Sequence, residues 1–173
     1  MAVYAHMLNN EPTRIRNFNT ITKRYKDEDE LPWLRIPGLE KFEFERPLVL
    51  INGAFDVLHY SHMRLICLAR LKAKTLVCAL DGDEKVVKEK GEGRPIMTFV
   101  ERATTLGHMP IDYLVEISNE GDFRKLIKLI KPDLRVQGYD YISNKTRFPE
   151  VKRVFVRDTG MHTSEIIRRC KEA

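Results

Sequence analysis

The run from Asn52 to Arg64, "NGAFDVLHYSHMR", sets His59 and His62 three residues apart, just past an apolar stretch that ends in Asn-Gly. Three chemistries compete for such a pair. The rings could share a metal ion, one could cap a turn while the other packs, or both could donate hydrogen bonds to phosphate oxygens. Structural zinc takes four protein ligands and catalytic zinc three. His6, His108 and His162 stand alone and no cysteine has ligand spacing, so the metal is the weakest of the three. Position favours the phosphate: a strand, a glycine turn and a helix N-terminus present free amides and the positive end of a dipole to an anion. Imidazoles there can donate whether neutral or charged.

The elements that must position this pair can be read from the pattern of apolar residues. "PLVLING" is a short continuous apolar run with a glycine stop, which predicts a buried strand. A helix should follow, with Met63, Ile66, Cys67 and Arg70/Leu71 at helical spacing. "TLVCALD", "DYLVEI", "DLRVQG" and "VKRVFVRD" predict four further strands. "TFVE" at 98–101 is a capping box opening a helix to about Gly107. "DFRKLIKLI" puts Phe123, Leu126, Ile127 and Ile130 on one helical face, with Pro132 as the stop. "SEIIRRCK" closes the chain as a helix with cations in its last turn.

Apolar strands alternating with helices predict an α/β fold: a Rossmann-like, five-stranded parallel sheet with helices on both faces and the first strand near its centre. Ligands then bind beyond the carboxyl ends of the strands. The histidine run, "DGD", "GYDY" and "RDTGMHTS" all fall at such ends.

Residues 1–46 differ from the rest. They are polar and punctuated and follow no sustained period, which predicts an irregular arm or a short helix, packed on the body or on a second subunit through Trp33, Leu34 and Ile36. Residues 47–173 form the regular α/β body in this reading. The arm holds eight Lys/Arg and eight Asp/Glu, so the whole net charge of +5 lies beyond it. That excess is dispersed and suits a phosphate-bearing ligand. Interleaved aromatics and a basic stripe are missing, which argues against a nucleic-acid partner. Three scattered cysteines point to a reducing compartment. No stretch approaches the length of a membrane span and no signal-peptide pattern opens the chain, so a cytoplasmic location with no membrane partner is expected.

"NGAFDVLHYSH" resembles the signature of the cytidylyltransferase-like nucleotidyltransferases, in which Phe-Asp precedes His-x-Gly-His. "KGEGRPI" with "ER" at 101–102, "VQGYDY" and "RDTGMHTSEII" are similar, in order, to segments of the bacterial heptose-phosphate adenylyltransferase domain. Glycerol-3-phosphate cytidylyltransferase is a more distant likeness. The resemblance covers about residues 47–171 and leaves the arm aside. It implies transfer of a nucleoside monophosphate, AMP before CMP, from ATP or CTP to a small phosphorylated acceptor such as a sugar phosphate, with release of pyrophosphate. Catalysis of that kind is mostly positioning and charge stabilisation at an in-line transition state.

Carried over by resemblance, His59 and His62 would hold the α- and β-phosphate oxygens. Lys88 or Lys90, in a flexible "VKEKGEG" loop, would neutralise the triphosphate. Arg102 and Arg157 would lie near the reacting phosphates. Asn52, Gly53, Phe55, Gly138 and Asp140 would form the nucleotide pocket. Asp56 would orient the motif, and Thr163 and Ser164 would grip triphosphate or merely cap the last helix. Mg2+ would arrive with the nucleotide and have few protein ligands. The resemblance also implies a homodimer. Three departures border the site: Ser61 replaces a glycine, His162 a serine, and Tyr139 a Gly or Asp. They bear on substrate identity more than on turnover. A non-catalytic nucleotide-binding module of the same fold is the rival reading.

Overall fold

A computed structural model describes residues 3–6, 33–35, 43–139, 142, 148–157 and 160–172. The five predicted strands form: β3 (Leu48–Gly53), β4 (Thr75–Asp81), β5 (Tyr113–Ile117), β6 (Leu134–Gly138) and β7 (Arg153–Val156). They run parallel in the order β5-β4-β3-β6-β7, with β3 in the middle. The winding direction therefore reverses between β3 and β6. In open α/β sheets that reversal is where the crevice opens.

Alternation along β3 divides the core in two. Val49 and Ile51 face α1 (Tyr60–Lys72) and α3 (Phe99–Gly107), against Ile66, Ala69, Ala103 and Leu106. Leu48 and Leu50 face α4 (Glu120–Ile130), against the predicted stripe Phe123, Leu126, Ile127 and Ile130. All seven residues of β4 are buried, as a central parallel strand covered on both faces requires. Truncating a wholly enclosed side chain such as Leu80 to alanine would cost about 2–5 kcal/mol. The Thr98/Glu101 capping box is formed, and Lys131 ends α4 in the left-handed region at φ 44°. Helix α5 (Thr163–Glu172) closes the chain's described part.

Two local expectations change. On α1 the buried residues are Ile66 and Ala69, while Cys67 and Leu71 face solvent. Lys88 and Lys90, expected in a flexible loop, lie on a helix, α2 (Asp83–Lys90). With only Val86 buried, α2 has too little apolar surface to register as a period. The loop begins one residue later, at Gly91, whose φ of 89° suits glycine.

Within the arm, residues 3–6 and 33–35 are strands, against expectation, and residues 43–46 are irregular. In β1 (Val3–His6) residues pair antiparallel with the edge strand β5, as in Tyr4 opposite Leu114. In β2 (Trp33–Arg35) they pair with β1, extending the sheet to seven strands. Four and three residues are too few for alternation to show in sequence. No described helix is long and apolar enough to cross a membrane.

Candidate active site

Strand β3 ends at Gly53, whose φ of 155° is awkward for any residue with a Cβ. The loop that follows carries two left-handed non-glycine residues, Phe55 at φ 48° and Val57 at φ 49°. Such backbone is costly, most of all for β-branched Val57, and persists only where its surroundings hold it. Here the hold comes from Asp56. Its buried carboxylate accepts from Arg94 Nε at 2.9 Å and from the backbone N–H groups of Ile96 and Met97 at 3.0 Å. Burial alone would raise the Asp56 pKa, but the amides of Met97 and Ile96, with Arg94, bring it below the ordinary value. The Asp56 carbonyl accepts from Thr163 Oγ1 at 2.7 Å, tying the loop to α5.

The loop delivers His59 to the N-cap position of α1, where its side chain makes no capping hydrogen bond. The turn-cap role weighed for one of the pair is thus not what its ring does. His59 instead stacks on His62, ring centroids 3.8 Å apart and planes 27° apart, and Phe55 packs against His62 at 5.2 Å. Both Nδ1 atoms are buried with no hydrogen-bond partner among the described residues. Burial lowers the His62 pKa to about 3, helped by the charges of His59 and Lys90. Burial also lowers that of His59, with His162 and Lys90 adding to the effect. Both rings are neutral at pH 7.

The pair opens into a cleft of about 560 Å³ at the carboxyl ends of the strands. Asn52, Gly53, Phe55, His59, His62, Lys90, Gly138, Arg157, Thr163 and Ser164 all line it. The three departures, Ser61, Tyr139 and His162, line it too. Lys90 closes α2 over the cleft. Burial, then the charge of Arg94, lower its pKa. Lys88, two residues back and so on the other side of α2, does not line the cleft. Asp140 lies outside the described residues.

Two expected phosphate ligands have other partners. Arg102 is enclosed by protein at 1% exposure. Its guanidinium donates to the carbonyls of Ala54 and Met97 and to Asp83 Oδ1, which is 2.6 Å away. Asp83 in turn accepts from the N–H of Phe99 at 3.0 Å. Arg102 therefore fixes the histidine loop to α2 and α3 and does not line the cleft. The Thr163 hydroxyl donates to the Asp56 carbonyl, so at that position only the backbone N–H remains to donate to a phosphate. The N–H groups of Glu165 and Ile166 bond the carbonyl of His162, which begins α5. Ser61, where a glycine was expected, donates to the carbonyl of Met161 at 2.7 Å and anchors the segment before α5.

Sequence reasoning missed Arg94 and Gln137, both of which line the cleft. Arg94 sits inside the quoted "KGEGRPI", and its pairing with Asp56 spans 38 residues that no local pattern connects. Among the described residues, no group of three or more His, Cys, Asp or Glu could hold a metal ion.

A doubly wound sheet whose switch-point cleft is lined by paired imidazoles and cations suits an anionic ligand. The cytidylyltransferase-like family matches residues 50–169, and the chain belongs to it, as a nucleotidyltransferase. The bifunctional protein HldE of Campylobacter curvus is 37% identical over 134 residues, 75% of this chain and 28% of that protein. HldE of Campylobacter jejuni subsp. doylei is 31% identical over 163 residues, 91% of this chain and 34% of that one. The chain thus spans about a third of the length of these relatives. A solved lipopolysaccharide core biosynthesis protein from Thermoplasma volcanium GSS1 overlays at a TM-score of 0.49 and 23% identity, over 65% of this chain and 95% of that one.

Proposed function

We propose that this chain transfers AMP, in preference to CMP, from the nucleoside triphosphate to a small phosphorylated acceptor of the sugar-phosphate type, releasing pyrophosphate. The observation that carries the reading is the stacked, neutral His59–His62 pair at the N-terminus of α1. With each Nδ1 buried and without a partner, the tautomer that serves the cleft carries its proton on Nε2. Those two N–H groups, the α1 amides, Lys90 and Arg157 form a positive cradle for a triphosphate.

An oxygen of the acceptor phosphate attacks the α-phosphorus. The bond from that phosphorus to the bridging oxygen breaks, and pyrophosphate leaves with the electron pair. The nucleophile is already an anion, so no general base is required. The protein's share is to align the two phosphates and to stabilise the charge that builds on the α-phosphoryl oxygens. The described lining offers imidazoles, amides and cations and no carboxylate, which fits Mg2+ ligated by phosphate oxygens and water. When bound, Mg2+ supplies charge neutralisation on the triphosphate. The sequence likeness in "KGEGRPI" supports ATP and a sugar 1-phosphate, the same resemblance supports a homodimer, and the three scattered cysteines support a cytoplasmic location.

The test is pyrophosphate release with Mg2+, ATP or CTP, and a panel of mannose 1-phosphate, a heptose 1-phosphate and glycerol 3-phosphate. Release that depends on both substrates is expected, fastest with ATP and a sugar 1-phosphate. Tight triphosphate binding with no release from any combination would make the chain a binding module.

A further inference from the structure

Gln137 is the penultimate residue of β6, 7% exposed, and its Oε1 is buried where no donor among the described residues reaches it. Turning the amide over would only strand the NH2 end in the same place. Buried polar groups nearly always find partners, and one left without them on the wall of a cleft is a cost that binding can recover.

Its neighbour is set up to complement it. Strands β3 and β6 pair as far as Leu50 opposite Arg135, and Asn52 and Gln137 each lie two residues further along their own strand. Both line the cleft, at the point where the winding reverses. Arg135 donates to Asn52 Oδ1 from Nε at 3.0 Å and from a terminal nitrogen at 2.9 Å. The guanidinium is itself held over the Phe123 ring at 4.7 Å. Asn52 is therefore fixed with its oxygen turned to Arg135 and its Nδ2 hydrogens left for the cleft. Adjacent strands thus present one donor, Asn52 Nδ2, and one acceptor, Gln137 Oε1.

We propose that Gln137 is a specificity-determining residue that accepts a hydrogen bond from a sugar hydroxyl of a substrate, with Asn52 donating to the neighbouring oxygen. A vicinal diol carries that complement, since each hydroxyl can donate to one group and accept from the next. The nucleotide ribose and the acceptor's own sugar both have one. The inference rests on the cleft being the nucleotide and sugar-phosphate site proposed above.

Binding, read by calorimetry with Mg2+ and without turnover, separates the two sources. One arm compares ATP with 2′,3′-dideoxy-ATP, and the other compares glycerol 3-phosphate with propyl phosphate. In one of the arms the wild type should prefer the hydroxyl-bearing ligand by about ten- to a hundredfold, the loss expected when a buried acceptor goes unpaired. Gln137→Met should erase that preference, whereas Gln137→Glu, which still accepts, should retain it. With no ligand, Gln137→Met should melt higher by about 2–8 °C, because it removes an unsatisfied group. No hydroxyl preference in the wild type, or one that survives in Gln137→Met, would overturn the proposal. So would a preference confined to ATP over inosine triphosphate, which would move the contact to the base. A chain with the hydroxyl preference but no pyrophosphate release keeps this inference and loses the transferase reading. A chain that releases pyrophosphate without the preference loses this inference alone.

Discussion

His59 lies on His62 with 3.8 Å between ring centroids and 27° between ring planes, each Nδ1 turned into protein. Two like charges would not tolerate that stacking. On the proposed function the pair is a set of preorganised neutral donors whose value would lie in the transition state, where charge on the phosphoryl oxygens is greatest. Replacing either ring with alanine should lower kcat by about a hundredfold to a thousandfold, the usual effect of losing one such donor. Affinity for the triphosphate should fall much less. Pyrophosphate release and calorimetry on the two single variants check this; near-wild-type turnover in both would reduce the pair to packing.

The same burial makes stability depend on pH. A histidine in the unfolded chain takes up a proton near about pH 6.5. His62 in the fold resists protonation until about pH 3, because of burial first and then the charges of His59 and Lys90. Between those values the unfolded state binds more protons, so stability is present in full above the unfolded value and is lost as pH falls. The slope from this one residue approaches about 1.4 kcal/mol per pH unit. Denaturant midpoints at pH 7.5, 6 and 5 should drop for the wild type and drop less steeply for His62→Gln. Parallel curves would mean that His62 already titrates normally.

Much of the frame was legible because each parallel strand is a continuous apolar run and each long helix carries a stripe or a cap. β4 and α4 are the clearest cases: all seven β4 residues are buried, and α4 buries the four apolar positions its spacing marks. The motif loop was legible from residue types at a strand end. What remained hidden depends on contacts between distant segments. Nothing near Arg102 in sequence reveals that its side chain turns inward to Ala54, 48 residues earlier. Arg94 is obscured in the same way, by its pairing with Asp56. Gln137 carries no charge and completes no motif, so only its buried, unpartnered oxygen marks it.

Lys90 and Lys88 share α2 and differ in what they face. Both are exposed, but Lys90 lines the cleft and its charge is felt at both histidines, whereas Lys88 does not line it. Lys90→Ala should therefore lower kcat/KM by more than tenfold, in line with loss of a charged contact to a phosphate, about 1.5–3 kcal/mol. Lys88→Ala should leave kcat/KM within twofold. Because burial and Arg94 lower the Lys90 pKa, activity should fade on the alkaline side earlier than a free lysine would cause, and Lys90→Arg should push that limb upward. Equal effects of the two alanine variants would show that the cleft does not distinguish them.

Arg102 separates a positioning role from a catalytic one. Its guanidinium joins Ala54, Met97 and Asp83, so it holds the backbone just before the strained Phe55–Val57 turn against two helices. Methionine in its place would leave the Ala54 carbonyl buried without a donor, while Asp83, 42% exposed, could turn to water. The expected cost is therefore about 3 kcal/mol, the lower end for breaking a buried pair. Lysine keeps the charge but cannot reach three acceptors from one nitrogen, so Arg102→Lys should recover little of that stability. At temperatures where the variants stay folded, KM and kcat should both worsen modestly, because the histidine loop is less well held and no phosphate contact is gone. Urea denaturation paired with steady-state kinetics decides it. Unchanged stability with a hundredfold fall in kcat would return Arg102 to the phosphates.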